Sequence, residues 1–528
     1  MYIKSLDLQD FRCYKSLNLS FDKSLTTIVG ENNTGKSTIW FAIDRLLVLI
    51  RGDQDDLSRE DWPHGIKGQS LLRLTLVLEP TDTQQLLLDP LLNGLTPNTA
   101  NELRQWLLQN GNELEITFHP ESRHPRYIRW SYVTFYPTGI GIGSHDPARA
   151  TSDWPSKSDG IYRLHVKILD IVSRQLANKL RLVGEFRTRS PGTRSPATES
   201  LTGSETASVL LNLKNHRERT ERDRYIEIVY TFKNLYPQYE IEAVENQAGG
   251  ANPELLFYEN NQQNPISLQY VSAGVHQVLT LLTMLIARRE LIIFLEHPEQ
   301  HLHPHASRFV GSLLSQASQH NQIIVVTHDP HFVDPWRPQG LRRFWRTTSG
   351  GTKAFAFPTS SNERQLQQIQ TALRHLNNRE MVFARAVIVV EDESQRDFIL
   401  GVAPTLGRNL DVNSISVVYA DGQDGFRPII TFLEALQIPH VCLKDLDWGD
   451  NQRYPPSRFY SLGGELEVFL DSKGLAERRK QVIAEVGQGK RRVARALGQQ
   501  LAKNEIPEVF DNLLEAAITI ATGSPQHT

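Results

Sequence analysis

The sequence feature that most constrains the fold of this chain is residues 30–38, which read GENNTGKST between an apolar run and an apolar helical pattern. Glycines let such a loop turn so that successive backbone N–H groups point inward, where the start of a helix adds partial positive charge. We expect Lys36 to contact the β- and γ-phosphates of a nucleotide and the Ser37 hydroxyl to ligate Mg²⁺. A chance glycine-rich turn is a poor alternative, because a strand pattern and a helix pattern flank the motif as required. The loop residues expected to hold the nucleotide are Asn32, Asn33, Gly35, Lys36, Ser37 and Thr38.

The length of 528 residues exceeds what one hydrophobic core usually fills, so we expect two or three domains. A net charge of −3 excludes a global basic field, so a nucleic-acid partner would be held by local patches. The two cysteines, Cys13 and Cys442, form neither a disulfide framework nor a zinc spacing. No apolar core of a signal peptide follows Met1, and charges interrupt the most apolar stretch, residues 278–295. We therefore expect a cytoplasmic chain without a membrane segment.

A second group of motifs follows in the middle of the chain. Ser272 is placed to cap a helix, and Gly274 would let the backbone approach a ligand closely. Residues 291–295 form a continuous apolar run, as in a strand buried on both faces, and the run ends in Glu296. A carboxylate at that strand end would hold Mg²⁺ opposite the loop hydroxyl. A second buried strand pattern presents His328 at the same edge of the predicted sheet.

Acidic residues follow two apolar strand patterns in the C-terminal part of the chain. Glu391 comes after residues 386–390, and Asp445 and Asp447 come after residues 440–443. Because strands and helices alternate here, these acids are expected to converge at the carboxyl edge of a small parallel sheet. Three carboxylates in one place repel each other and need a cation. Hard oxygen ligands favour Mg²⁺ or Mn²⁺, which can activate water for attack on a phosphodiester.

The order of the first motifs resembles the ABC-type ATPase heads of the SMC, RecF and OLD groups. The matching segments are the phosphate loop, S-x-G-x-x-Q at 272–277, E-x-P-E-x-x-L-H-P at 296–304 and V-T-H at 326–328. The resemblance implies that two heads sandwich ATP, with Ser272 and Gly274 of one subunit reaching the γ-phosphate held by Lys36 of the other. It also implies that Gln277 and, as a weaker match, Arg12 lie near the nucleotide.

One position departs from this family pattern. The pattern has two acids before the proline, the second acting on the attacking water, whereas this chain has Glu296 followed by His297. His297 could accept a proton, but it cannot provide a fixed negative charge beside the water. We therefore expect slow hydrolysis of ATP. Ordinary turnover with a tolerated substitution is the alternative.

The C-terminal spacing, an acid after one strand and D-x-D two strands later, resembles the TOPRIM domain of topoisomerases, primases and OLD nucleases. Behind an ABC-type head it resembles the OLD family, which includes the nuclease subunit of the Gabija anti-phage system, along nearly the whole chain. The implied metal ligands are Glu391, Asp445 and Asp447. Lys490 matches a lysine that stabilises charge on the scissile phosphate; an exposed basic helix start is the alternative. Two positions depart: Asp392 stands where the family has glycine, and Gln395 where it has a second acid.

These features predict an α/β chain in which an ABC-type P-loop ATPase with a helical insertion is followed by a small Rossmann-like TOPRIM domain. The expected head covers residues 1–375, with the insertion at about 156–240. The expected TOPRIM nuclease domain, with C-terminal helices, covers residues 376–528.

The resemblance implies an ATP-binding, divalent-metal-dependent DNA endonuclease or nickase, in which nucleotide gates the TOPRIM centre during anti-phage defence. The expected cofactors are ATP and Mg²⁺, with Mn²⁺ as an alternative at the TOPRIM site. We expect a homodimer through the ATPase heads, or a tetramer, with a helicase or another defence-system protein as a further partner. Two alternatives stay open: a nucleotide-sensing DNA clamp or repair ATPase with an inactive TOPRIM centre, and a TOPRIM ribonuclease acting on tRNA.

Overall fold

The computed structural model describes thirteen segments of the chain, and these form two compact units. The described residues are 1–51, 57–63, 70–90, 113–118, 126–130, 160–183, 203–245, 253–259, 262–266, 270–346, 351–358, 363–449 and 453–523. The first unit consists of Met1–Ile28 and Gly35–Phe332, and the second of Val29–Thr34 and Val333–Thr528. Among the described residues, no helix is both long enough and apolar enough to cross a membrane. The domain boundaries predicted above stay predictions, and part of the predicted insertion lies outside the described segments.

An antiparallel sheet forms the first part of the chain. The strands before residue 333 are β1 (Tyr2–Phe11), β2 (Tyr14–Ser20), β3 (Leu25–Gly30), β4 (Leu71–Val77), β5 (Glu113–Phe118), β6 (Arg126–Trp130), β7 (Leu180–Val183), β8 (Tyr239–Val244), β9 (Glu254–Glu259), β10 (Ile292–Glu296) and β11 (Gln322–Val326). The antiparallel sheet has the order β2-β1-β4-β5-β6. In β1 the side chains of Ile3, Leu6 and Leu8 are fully buried, as the inward-facing positions of a half-buried strand should be.

Four parallel strands carry the motifs of the first unit, in the spatial order β3-β11-β10-β7. Both β10 and β11 are buried, as their continuous apolar runs predicted. Val326 of β11 pairs with Ile28 of β3, and Glu296 of β10 pairs with Val326. The phosphate loop, His328 and Glu296 therefore follow neighbouring strands at one edge of the sheet.

Helices pack around these strands and bury the helix that carries Gly274 and Gln277. The helices before residue 333 are α1 (Lys36–Arg51), α2 (Pro80–Leu88), α3 (Gly160–Lys179), α4 (Gly203–Lys214), α5 (Arg219–Leu235), α6 (Ala273–Ala287) and α7 (Pro304–Ala317). An apolar core joins α6 to α4, α5 and the β8–β9 hairpin, with Leu210, Phe232, Phe257 and Leu282 among its buried members. Burial on all sides explains why α6 carries an almost unbroken apolar sequence.

The second unit contains a small parallel sheet with a core on each face. Its strands after residue 333 are β12 (Leu341–Arg346), β13 (Thr352–Ala356), β14 (Ala386–Val390), β15 (Ile415–Tyr419), β16 (His440–Lys444) and β17 (Phe459–Ser461). Its helices are α8 (Glu363–Arg374), α9 (Leu376–Arg379), α10 (Glu393–Thr405), α11 (Gln423–Ala435), α12 (Leu466–Leu470), α13 (Ala476–Val486), α14 (Lys490–Gln500) and α15 (Glu508–Thr522). The parallel strands have the order β15-β14-β16-β17, and β12 pairs with β13 as a hairpin.

The strand β14 shows why this sheet needs helices on both faces. Ile388 and Val390 point into one apolar core, whereas Val387 and Val389 point into the other. All four side chains are fully buried. Because β14 lies between β15 and β16, the residues that follow β14 and β16 come out side by side at the carboxyl edge.

Candidate functional site

The phosphate loop has the strand and helix that its sequence predicted. β3 ends at Gly30, and α1 begins at Lys36, whose side chain is only 5% exposed. Within the loop, the Thr34 hydroxyl donates a hydrogen bond to the carbonyl of Glu31 at 2.8 Å. Of the other predicted nucleotide ligands, Asn32 and Asn33 are exposed, and Ser37 and Thr38 are half-buried. These side chains lie at the surface of the loop, where a nucleotide would meet them.

Close neighbours explain why residue 35 is glycine. Its φ is +87°, and a Cβ built there would lie 2.5 Å from Sγ of Cys13. The Tyr14 hydroxyl donates to the Gly35 carbonyl at 2.7 Å. The segment after β1 therefore packs directly on the loop and leaves no space for a side chain there. This close packing fits a loop that must present its backbone to a phosphate.

Arg12 is tied to a buried carboxylate. Its Nε and Nη2 atoms donate to Oδ1 of Asp61 at 3.2 and 2.9 Å, and its guanidinium lies 4.1 Å from the centre of the Phe41 ring. Arg45 also reaches Asp61, with 2.8 Å between its Nε and Oδ2. Asp61 thus fixes both arginines beside the elements that carry the loop. A direct contact of Arg12 with the nucleotide stays a prediction.

The start of α6 packs against the segment that follows β10. Ser272 caps the helix as predicted, because its hydroxyl accepts the N–H of Val275 at 3.4 Å. A Cβ built on Gly274 would lie 2.3 Å from the carbonyl oxygen of His301, so the close approach at this glycine is to the chain itself. Gln277 is 1% exposed and donates to the carbonyl of Pro298 at 2.9 Å. Gln277 is therefore buried within its own copy, and its predicted role at the nucleotide stays a prediction.

Two histidines stack at the edge of the parallel sheet. The backbone N–H of His297 donates to the carbonyl of Val326 at 2.8 Å, and its ring lies parallel to that of His328 with 5.1 Å between centres. Partial desolvation and the nearby charge of Lys36 lower the pKa of His328 to about 4. His328 is therefore neutral at pH 7, and it can exchange hydrogen bonds with a phosphate but cannot add positive charge.

The sequence interpretation missed Glu299, which holds this histidine pair. Its Oε1 atom lies 3.3 Å from Nδ1 of His297 and accepts the backbone N–H of His328 at 2.9 Å. Burial alone would raise the pKa of Glu299, but these hydrogen bonds outweigh it and lower that pKa. The hydrogen bond to Glu299 in turn raises the pKa of His297. A carboxylate therefore lies beside His297, the residue that stands where the family pattern has its second acid. The sequence alone did not show that the Glu299 side chain would point toward His297.

In the second unit, Glu391 and Asp445 come together after β14 and β16. The backbone N–H of Asp445 donates to Oε2 of Glu391 at 2.9 Å, and Nε2 of Gln395 donates to Oδ1 of Asp445 at 2.6 Å. Burial, and secondly the charge of Glu391, raise the pKa of Asp445 to about 6. Two carboxylates that repel each other in this way fit a divalent cation, which would remove the repulsion.

Asp447 does not join that pair. Its Oδ1 accepts a hydrogen bond from the Ser461 hydroxyl at 3.0 Å, and Ser461 is the last residue of the neighbouring strand β17. Within the described part of the chain, no three His, Cys, Asp or Glu side chains are grouped as a metal site. Of the three acids predicted to converge, Glu391 and Asp445 are linked directly by a hydrogen bond, whereas Asp447 accepts a hydrogen bond from β17, and its place in a cation site stays a prediction.

Lys490 lies at the start of α14 and is exposed. Its Nζ is 3.7 Å from Oε2 of Glu465 and 3.7 Å from Oε1 of Glu467. Burial, the charge of Glu391 and, as a smaller contribution, the charge of Glu465 raise the pKa of Asp445. Lys490 thus contacts an acid whose charge acts on the candidate metal site, and the sequence interpretation missed this acid, Glu465.

Comparisons with known proteins match the phosphate loop and the carboxylate pair to two different kinds of domain. The family described as "AAA ATPase domain" matches residues 1–62, and the family described as "AAA domain, putative AbiEii toxin, Type IV TA system" matches residues 137–334. The family described as "Overcoming lysogenization defect protein-like, TOPRIM domain" matches residues 382–447. The ATPase matches include the phosphate loop and both histidines, and the TOPRIM match includes Glu391 and Asp445.

Similar proteins include nucleases along most of the chain. An OLD nuclease of Thermus scotoductus is 25% identical over 478 residues, which are 85% of this chain and 83% of that protein. An Old nuclease of Escherichia phage P2 is 19% identical over 476 residues, 85% of this chain and 78% of that protein. The structure of the C-terminal region of the Burkholderia pseudomallei OLD protein matches 26% of this chain and 100% of its own length, with 24% identity and a TM-score of 0.24.

An ATPase domain with a phosphate loop thus precedes an OLD-like TOPRIM domain with paired carboxylates, and OLD nucleases are similar to the chain over 85% of its length. Together these findings support a nuclease that carries an ATPase domain.

Proposed function

We propose that this protein cuts phosphodiester bonds of DNA with Mg²⁺ or Mn²⁺ held by Glu391 and Asp445, and that ATP bound at the phosphate loop gates the reaction. The paired carboxylates carry this proposal, since a divalent cation would relieve their mutual repulsion in a TOPRIM domain. We place the activity in cytoplasmic defence against phage. A helicase or other defence-system protein is the proposed further partner.

Different residues of the second unit would have different roles in cleavage. Glu391 and Asp445 would hold the cation, which when bound neutralises phosphate charge and activates water. Gln395 keeps Asp445 in place by its hydrogen bond. Lys490, which is exposed beside Glu465, would stabilise negative charge on the scissile phosphate. Asp447 would be an additional ligand, because its hydrogen bond from Ser461 occupies only one of the acceptor positions of the carboxylate.

The ATP site is proposed to form between two copies of the chain. Lys36 and the loop backbone would hold the phosphates, while Ser37 and Glu296 would hold their Mg²⁺. Ser272 of a second copy would complete the site, which makes a homodimer the smallest active assembly and a tetramer a pair of such dimers. The exposure of Ser272 and of Tyr270, which is 77% exposed, supports an approach by another copy.

A contact within the second unit supports gating. This unit includes residues 29–34 of the phosphate loop, and Glu31 bonds to Arg385, the residue just before β14. Their second contact, from Nη2 to Oε2, measures 3.4 Å. β14 ends at the residue before Glu391. A change in the loop on nucleotide binding can therefore be passed to the strand that carries the carboxylate.

Loss of this contact is expected to weaken the effect of ATP on cleavage. Arg385→Ala should leave ATP affinity and ATP-free cleavage near wild-type values, because Arg385 belongs to neither site. The ratio of cleavage rates with and without ATP should move toward one. An unchanged ratio would rule out this contact as the route of gating. Arg408→Ala, which breaks a surface pair with Asp511, is the matched control.

His297→Glu is expected to raise ATP turnover by about tenfold, since a positioned general base contributes roughly 10²–10⁴-fold to proton transfer. Slow turnover keeps ATP bound, so the variant should also weaken the control of ATP over cleavage. The measurement is phosphate release at saturating ATP, with DNA cutting followed in parallel and His297→Gln as the uncharged control. Equal or lower turnover would contradict the expectation and would assign the base to the His297–Glu299 pair.

A second candidate function is a nucleotide-sensing DNA clamp with an inactive TOPRIM centre. The amide at Gln395 favours it, because it stands where the family pattern has a second acid and so reduces the number of acids at the cation site. The test is incubation of purified protein with plasmid DNA, linear DNA and tRNA, each with Mg²⁺ or Mn²⁺ and with or without ATP. Cutting of DNA supports the nuclease proposal, cutting of tRNA alone supports a ribonuclease, and binding without cutting supports the clamp.

A further inference from the structure

We propose that Gln395 is a positioning residue for the cation site, and that its neutral amide makes the site bind divalent cations more weakly than a carboxylate at this position would. The inference rests on the proposed cation at Glu391 and Asp445. It assigns a role to the residue that stands where the OLD pattern has a second acid.

Both ends of the Gln395 amide are used. Its Oε1 accepts the backbone N–H of Glu391 at 2.9 Å, and its Nε2 donates to Oδ1 of Asp445 at 2.6 Å. The backbone N–H of Asp445 donates to Oε2 of Glu391 at 2.9 Å. These three hydrogen bonds form a closed ring. An amide fits this ring, because one end accepts and the other donates, whereas an ionised carboxylate could only accept.

The helix fixes Gln395 in this place. Asp392 caps α10, and its Oδ1 accepts the backbone N–H of Gln395 at 2.9 Å. Gln395 is therefore the third residue of the helix, where a glutamine side chain usually reaches back to the N–H of the capping residue. Here it reaches one residue further, to Glu391, and its other end is free to hold Asp445. Gln395 is 0% exposed, so its side chain has no alternative position in water.

The charge balance explains why the amide matters for a cation. Glu391 and Asp445 already repel each other, and the N–H donor of Gln395 stabilises the charged form of Asp445. The amide thus stabilises the negative charge of Asp445, as a bound cation would also do. A carboxylate at position 395 could not donate and would add a third negative charge. This third negative charge would destabilise the cation-free protein, so the free energy gained on binding a cation would be larger than in wild type.

The test compares two substitutions that should change Mn²⁺ affinity in opposite directions. If Gln395 had only a structural role, both substitutions would change the affinity in the same direction. Gln395→Glu should raise Mn²⁺ affinity about tenfold or more, lower the thermal unfolding midpoint in EDTA and enlarge the rise of that midpoint on adding Mn²⁺. Gln395→Met keeps the length of the side chain but loses both hydrogen bonds, so Mn²⁺ affinity should fall by roughly 10–100-fold. Affinity and the number of bound ions are measured by calorimetry and by electron paramagnetic resonance of Mn²⁺. Gln423→Glu, an exposed amide at the start of α11, is the matched control and should change neither quantity.

Two outcomes would overturn the inference. One is an Mn²⁺ affinity of Gln395→Glu that equals or falls below the wild-type value, and the other is a wild-type protein whose Mn²⁺ binding does not depend on Asp445. Because Mn²⁺ binding is read without DNA, failure of the nuclease proposal remains distinguishable. If the affinities shift as expected and no DNA is cut, the inference stands and only the proposed activity fails.

Discussion

Asp445→Ala and Glu391→Ala are each expected to reduce DNA cleavage at least about a hundredfold, since even residues behind a metal ligand cost 10–100-fold when they are removed. The physical reason is the loss of one of the two carboxylates that the structure holds together, with 2.9 Å between the Asp445 nitrogen and Oε2 of Glu391. The measurement is the initial rate of plasmid cutting in Mg²⁺ and in Mn²⁺. ATP affinity should stay within twofold of wild type, because the acids follow strands of a different sheet from β3, the strand that leads into the phosphate loop.

Loss of folding would imitate this result, and two further variants separate the two causes. Asp445→Asn removes the charge but keeps the size, and it also removes the repulsion that raises the Asp445 pKa. It should therefore unfold in EDTA at a temperature no lower than wild type while remaining inactive. Asp421→Asn changes an exposed acid after the neighbouring strand β15 and should cut normally. Folded Asp445 and Glu391 variants that cut at the wild-type rate would contradict the nuclease assignment.

Lys36→Ala is expected to lower nucleotide affinity by ten- to a hundredfold. The lysine supplies a charge-assisted contact to phosphate, which is worth ~1.5–3 kcal/mol. Its burial at 5% exposure makes that contact strong, because little water screens it. ATP binding by calorimetry checks the expectation, with the exposed Lys15→Ala as control. Unchanged affinity in Lys36→Ala would count decisively against the phosphate-loop assignment.

Local patterns predicted the elements that carry both sites. The strand before the phosphate loop, the Ser272 cap and the buried strands β10, β11, β14 and β16 are found where the sequence placed them. Each depends on neighbours within a few residues: a glycine-rich turn, a hydroxyl three residues before an N–H, or a continuous apolar run. Such features are decided locally, so one sequence is enough to find them.

Side-chain partners distant in sequence could not be predicted in the same way. Asp447 bonds to Ser461, 14 residues away, and Gln277 bonds to Pro298, 21 residues away. Both residues match a family motif, yet packing decides where they point. Glu299 was visible in the motif, but its contact with His297 depends on the turn after β10. Contacts of this kind require the folded backbone before they can be assigned.

The charged segment from 207 to 235 illustrates a different limit. Its composition is typical of a single charged helix, whereas the structure contains α4 and α5 with a break at residues 215–218. The Arg222 side chain donates to the carbonyls of His216 and Arg217, at 2.6 and 2.8 Å, and thus stabilises the break. No glycine or proline marks this position, so the sequence carried no signal for it.

We propose that ATP at the phosphate loop controls a cation-dependent nuclease in the second unit. The most direct test is the initial rate of plasmid cleavage as a function of ATP concentration, at fixed Mg²⁺, for wild type and Lys36→Ala. We predict that the wild-type rate changes with a midpoint at its measured ATP dissociation constant. The same curve should move to ten- to a hundredfold higher ATP in Lys36→Ala. A wild-type rate that does not respond to ATP, or cleavage that persists in EDTA, would contradict the account.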